Sequence, residues 1–213
     1  MQIAVFVFER ITMLDAIGPY EVLSRLPGAT VEWVGREAGP VRADAGCVVL
    51  AEKTLSEVPR PDILVIPGGY GIDAVLEQPE VLAWIRDAHE HTQWTTSVCT
   101  GSFALGAAGL LDGLRATSHW AQIDRLKDYG ASPTHERVVE QGKVVTAAGV
   151  SSGIDMGLRL IDHIAGDAVA QAIQLSIEYD PQPPFDSGHP HKAPEEAVTL
   201  VRQAVAERRA RAS

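Results

Sequence analysis

A chain of 213 residues with a formal net charge of −10 and two cysteines is long enough for one large α/β domain, expected here to run over 1–213. Its acidic excess is spread along the chain, which argues against a nucleic-acid partner, because phosphate binding needs clustered Lys and Arg; a small neutral ligand is expected instead. No apolar run reaches the roughly 18 residues of a membrane-spanning helix, and Met1 to Phe8 lacks the basic start and cleavage site of a signal peptide, so a cytoplasmic protein with no membrane association and no Cys47–Cys99 disulfide is expected.

Short apolar runs at Ile3 to Phe8, Thr30 to Val34, Asp62 to Ile66, Trp94 to Val98 and Lys143 to Ala147 read as strands, with helical periods between them. That alternation predicts an α/β fold, a mostly parallel sheet sandwiched between helices, with its ligand site beyond the carboxyl ends of the strands. Val41 to Glu52, rich in β-branched residues after Gly39-Pro40, is expected to add an antiparallel extension at the sheet edge. Glu136 to Glu140 and Lys143 to Thr146 read as a hairpin turning at Gln141-Gly142. Asp180 to Gly188 carries prolines that cannot continue a helix. Pro194 to Arg211 shows helical spacing of Ala197, Leu200, Val201 and Val205, ending in cations that suit a helix C-terminus.

Three strand ends hold the informative residues. At Thr95 to Gly106 a buried-strand pattern runs straight into a small-residue helix with Cys99 at the hinge. Ser97 and Gly101 are small enough for the sharp turn of a nucleophile elbow, and the helix N-terminus is expected to lower the thiol pKa. A buried structural cysteine is the competing reading; Cys47 has no such setting and is expected to be inert. At Ile66-Pro67-Gly68-Gly69-Tyr70 the paired glycines either bring backbone amides close to a ligand, where they stabilise a developing anion, or make a tight turn. Asp15 precedes or opens a helix, where it either caps that helix or faces the site; Glu21, one to two turns on, has the reach for the sheet end as well.

Asp15-x-x-Gly18-Pro19, Pro67-Gly68-Gly69 and Ser97-Val98-Cys99-Thr100-Gly101, in this order, resemble the ThiJ/PfpI superfamily, whose fold is flavodoxin-like and akin to class I glutamine amidotransferases. Further stretches are similar to the isonitrile (isocyanide) hydratase branch: Gly106 to Leu111, Arg115 to Trp120, His135 to Val139 and Glu178-Tyr179-x-Pro181-x-Pro183-Pro184-Phe185. Protease-like members place a histidine directly after the cysteine, where this chain has Thr100. The ligand domains of transcription regulators in the superfamily are joined to a helix-turn-helix module, which is not expected after Ser213, so the regulator reading is the weaker one.

The resemblance implies hydration of an isonitrile to an N-substituted formamide. It assigns Cys99 as nucleophile, Asp15 as acid/base and Thr100 as a supporting hydrogen-bonding residue, and it implies a homodimer. Gly68, Gly69 and Tyr70, with His119 and Trp120, are the expected substrate or oxyanion contacts, although a structural role for the histidine and tryptophan competes. Ala147 to Asp155 departs from a more glycine-rich family stretch, and Tyr70 after the glycine pair is a second departure; both bear on substrate range. His89 and His91 point to different sides of a helix, and His189 and His191 have no acidic or thiol partner nearby in sequence, so no metal and no cofactor is expected. A glyoxalase-like cysteine enzyme for small oxoaldehydes and a cysteine-based redox or ligand sensor are the rival functions.

Overall fold

The computed structural model describes residues 1–210. In chain order it contains β1 (Gln2–Phe6), α1 (Met13–Leu23), β2 (Thr30–Gly35), β3 (Gly39–Arg42), β4 (Val48–Ala51), β5 (Lys53–Thr54), β6 (Ile63–Ile66), α2 (Ile72–Leu76), α3 (Pro79–His91), β7 (Trp94–Val98) and α4 (Ser102–Ala107). Then follow β8 (Arg115–Ala116), β9 (Ser132–Pro133), β10 (Val138–Gln141), β11 (Val144–Ala147), α5 (Ser152–Ala165), α6 (Asp167–Ser176) and α7 (Glu195–Ala210).

A seven-stranded sheet runs in the order β10-β11-β7-β6-β1-β2-β5. All its pairings are parallel except β10 with β11. β6 and β11 are buried at every residue, as expected of parallel strands covered on both faces. Helices flank the sheet: α1, α5 and α6 pack together, as do α2, α3 and α4. In α3, Val81, Trp84, Ile85 and Ala88 are the buried residues, a single stripe at helical spacing. Completely burying a side chain such as Ile85, which has no exposed surface, contributes roughly 1.5–3 kcal/mol. Gly153 brings α5 against α1, since a Cβ there would lie 2.8 Å from Pro19 Cδ.

Two expectations need correcting in detail. The Val41 to Glu52 segment does turn back antiparallel, but β3 and β4 form their own two-stranded sheet, because β5 occupies the edge position beside β2. Cys47 lies in the turn of that hairpin and is exposed. In the second hairpin Gln141 pairs with Val144, so the turn is Gly142-Lys143, one residue later than expected; Gly142 takes φ +61° there, a conformation that favours glycine. Residues 180–188 contain no helix or strand, and α7 begins at Glu195; Arg211, the expected helix end, lies outside the described residues. No helix among the described residues is long and apolar enough to cross a membrane.

Because β1, β6, β7 and β11 run parallel, their carboxyl ends lie on one side of the sheet. The segments after Phe6, Ile66, Val98 and Ala147 therefore converge.

Candidate active site

Cys99 follows the last residue of β7 and adopts φ +58°, a conformation that costs a non-glycine residue on the order of 1–3 kcal/mol and persists only when its surroundings fix it. Several hydrogen bonds do so. The Cys99 amide donates to Ala148 O at 2.8 Å, beyond the end of β11, and the hydroxyls of Ser118 and Ser102 donate to Cys99 O at 2.9 and 3.1 Å. Gly101 is required by close approach: a Cβ there would meet Ile66 O at 2.1 Å.

Asp15 stands in the first turn of α1 but does not cap it; Thr12 occupies the N-cap position, without a side-chain cap bond. Its carboxyl has no exposed surface. Oδ2 accepts the Gly68 amide at 2.9 Å, while Oδ1 is buried without a hydrogen-bond partner. The Gly69 amide donates to Thr100 Oγ1 at 3.0 Å. Gly68 and Gly69 were expected to turn their amides to a ligand; both amides are instead engaged in holding Asp15 and Thr100. A side chain at 68 is excluded, since its Cβ would lie 2.5 Å from Thr100 N and Oγ1 and 2.9 Å from Asp15 Oδ2.

Burial governs the protonation of this pair. It lifts the Asp15 pKa to about 7, against the lowering effect of the Gly68 amide and the Cys99 thiol. Burial also drives the Cys99 pKa well above its ordinary value, with the nearby Asp15 charge adding to the rise and the amides of Val150 and Thr100 opposing it. The sequence reading that a helix N-terminus would lower the thiol pKa is therefore reversed. Desolvation of a thiolate in a closed pocket outweighs a few amide dipoles, and α4 itself starts only at Ser102. The resting thiol holds its proton, and near neutral pH the carboxyl exchanges its own.

The thiol opens into a small pocket of about 70 Å³ lined by Tyr70, Thr100, His119, Gln122, Val150 and Val205, together with Thr12 and Gly69. Two roomier cavities, about 430 Å³ beside β1 and β3 and about 410 Å³ under the proline-rich loop, do not include Cys99, so the small pocket is the candidate site. Tyr70 and His119 line it as expected. His119 has its pKa lowered by burial, and its Nδ1 accepts the Ala121 amide at 3.3 Å, which favours a neutral ring. Trp120 is a correction: its ring stacks on that of His119, so His119 faces the thiol pocket while Trp120 lines the 410 Å³ cavity instead. Glu21 is exposed and paired with Arg25, away from the site. His189 and His191 lie with their rings tilted against each other and meet the His135 ring edge-on; among the described residues no group of His, Cys, Asp and Glu has the arrangement to hold a metal.

Several contributors, Gln122 among them, escaped the sequence reading. Ser118 lay inside a family-like stretch, but nothing marked its hydroxyl as a support for the elbow. Val150, at φ +23°, belongs to the segment noted as departing from a glycine-rich pattern, which was the available signal. Val205 was visible only as one apolar position of an amphipathic helix.

An elbow cysteine beside a buried carboxyl, at the carboxyl ends of a flavodoxin-like sheet, defines a cysteine-centred α/β protein. The chain belongs to the DJ-1/PfpI family, whose model matches residues 1–163. It is 41% identical over 206 residues to an isonitrile hydratase from Pseudomonas putida, covering 97% of this chain and 90% of that one. It is 30% identical over 177 residues to the HTH-type transcriptional regulator CdhR of Pseudomonas aeruginosa, covering 81% of this chain and 52% of the regulator. Among solved structures, a ThiJ/PfpI family protein from Pseudomonas syringae superposes with a TM-score of 0.94 at 38% identity, covering 99% of this chain and 88% of that one.

Proposed function

We propose that this chain is an isonitrile hydratase, converting R–NC and water to the N-substituted formamide. The observation that carries the reading is the fully buried Asp15 carboxyl, held by the Gly68 amide at the same strand ends as the strained Cys99, with Thr100 where a histidine base would otherwise follow the cysteine. The near-full-length likeness to a hydratase supports it. It is taken to act as one domain in the cytoplasm, as a homodimer, on a small-molecule isonitrile and without a cofactor.

The pair works when it holds one proton between its two groups. Asp15 takes the thiol proton, and the thiolate attacks the terminal isonitrile carbon, forming the S–C bond and placing an electron pair on that carbon. Protonated Asp15 returns the proton there, giving a thioimidate, R–N=CH–S–Cys99, and a carboxylate. Asp15 then removes a proton from water as its oxygen adds to the same carbon, and passes that proton to nitrogen. Collapse of the tetrahedral adduct breaks the C–S bond and releases R–NH–CHO; the hydroxyl proton goes back to the thiolate and carboxylate pair. Thr100 Oγ1, fixed by the Gly69 amide, orients the water.

Cyclohexyl isocyanide is the first substrate to try, with formamide production followed for the intact protein and Cys99→Ala in parallel. Product that disappears with the cysteine is the expected result. No product from either protein refutes the hydratase reading and turns attention to lactate formation from methylglyoxal.

A further inference from the structure

The substituent R must lie beside the thiol, where the free space is small, about 70 Å³. One wall of that space comes from far along the chain. Val205 of α7 lines it, although α7 lies beyond residue 163, where the match to the family model ends. Two other side chains of α7 reach the rim of the same region. The Arg202 guanidinium lies 5.8 Å from the Trp120 ring centre and that of Arg208 lies 5.2 Å from the Tyr70 ring centre. Residues 202, 205 and 208 recur every third position and so share one stripe of the helix. Tyr70 lines the pocket with Val205, while Trp120 is stacked on the pocket residue His119.

We propose that α7 is the specificity wall of the site. Val205 sets how bulky the group on the isonitrile nitrogen can be, and Arg202 and Arg208 are positioning residues that hold the helix in place through Trp120 and Tyr70. This rests on the hydratase reading and adds the substrate class: isonitriles whose alkyl group is compact where it joins nitrogen.

The test compares kcat/KM for methyl, cyclohexyl and tert-octyl isocyanide. Val205→Ala raises the tert-octyl to cyclohexyl ratio about tenfold, and Val205→Trp lowers the cyclohexyl to methyl ratio about tenfold, the discrimination that a single methylene's worth of pocket supplies. Replacing Arg202 and Arg208 together by Ala shifts the ratios as Val205→Ala does, through KM rather than through kcat for methyl isocyanide, and Lys at both positions restores them. Ratios within about twofold of the original protein in both Val205 variants overturn the proposal. A second arm needs no hydration: in a Cys47→Ser background, the rate of Cys99 alkylation by N-cyclohexylmaleimide relative to iodoacetamide rises with Val205→Ala and falls with Val205→Trp. If no isonitrile is turned over, the proposed function fails and this arm alone decides the wall, an unchanged ratio refuting it.

Discussion

Replacing Asp15 by Asn tests the buried carboxyl through stability as well as through turnover. An acid whose pKa is raised on folding binds its proton more tightly in the native state, so its contribution is complete below its unfolded value and is lost as pH rises through its folded value. For Asp15 those values are 3.8 and about 7, and at 1.36 kcal/mol per unit the loss across the whole window is roughly 4 kcal/mol. Between about pH 5 and about pH 8 the share is roughly 2–3 kcal/mol. Asn keeps an oxygen for the Gly68 amide but has no charge to bury; whatever its amide costs is the same at both pH values and cancels. The Cys99 thiol does not interfere, since its pKa lies well above this window. Urea unfolding of both proteins at the two pH values is therefore expected to show the Asn variant gaining about 2–3 kcal/mol on the original between pH 5 and pH 8, while hydration of isonitrile is abolished. A stability difference that stays flat with pH would refute the raised pKa, and retained turnover would remove Asp15 from the chemistry.

Four further outcomes follow from the same geometry. Since the working form of the pair carries one proton, kcat/KM is expected to rise with pH through about 7 and to stay high until the thiol's second ionisation; a rate that falls as pH rises through 7 contradicts the mechanism. Cys99→Ala removes an interaction that lowers the Asp15 pKa, so the carboxyl should titrate higher in that variant, a shift that carboxyl-carbon NMR reads directly. Thr100→Val strips the Gly69 amide of its acceptor and is expected to cost about 1–3 kcal/mol in denaturant midpoints and to slow turnover; unchanged values in both make the hydroxyl dispensable. Gly68→Ala forces a methyl group against Thr100 and Asp15, so turnover should be lost in a chain that still folds by circular dichroism, and normal kinetics would show that the site accommodates the group.

The sequence by itself determined the winding of the sheet and the place of its chemistry. Strand-length apolar runs alternating with amphipathic ones have one economical solution, and small residues around Cys99 permit a strand to turn directly into a helix. Those are local properties, written into steric size and periodicity. It also marked Asp15 and Thr100, but only through resemblance, because on local grounds a helix cap was the safer reading of Asp15. Tertiary structure decided the rest. The amides of Gly68 and Gly69 look free in sequence and are taken by Asp15 and Thr100, partners 53 and 31 residues away. The thiol pKa, expected to fall, rises instead, because desolvation depends on how completely α1, β6, β7 and the residues after β11 close over the sulfur. Trp120 and His119, adjacent in sequence, line different cavities, and Val205 reaches the thiol pocket from the far end of the chain. Burial and long-range approach belong to the packed chain as a whole, and no local pattern carries them.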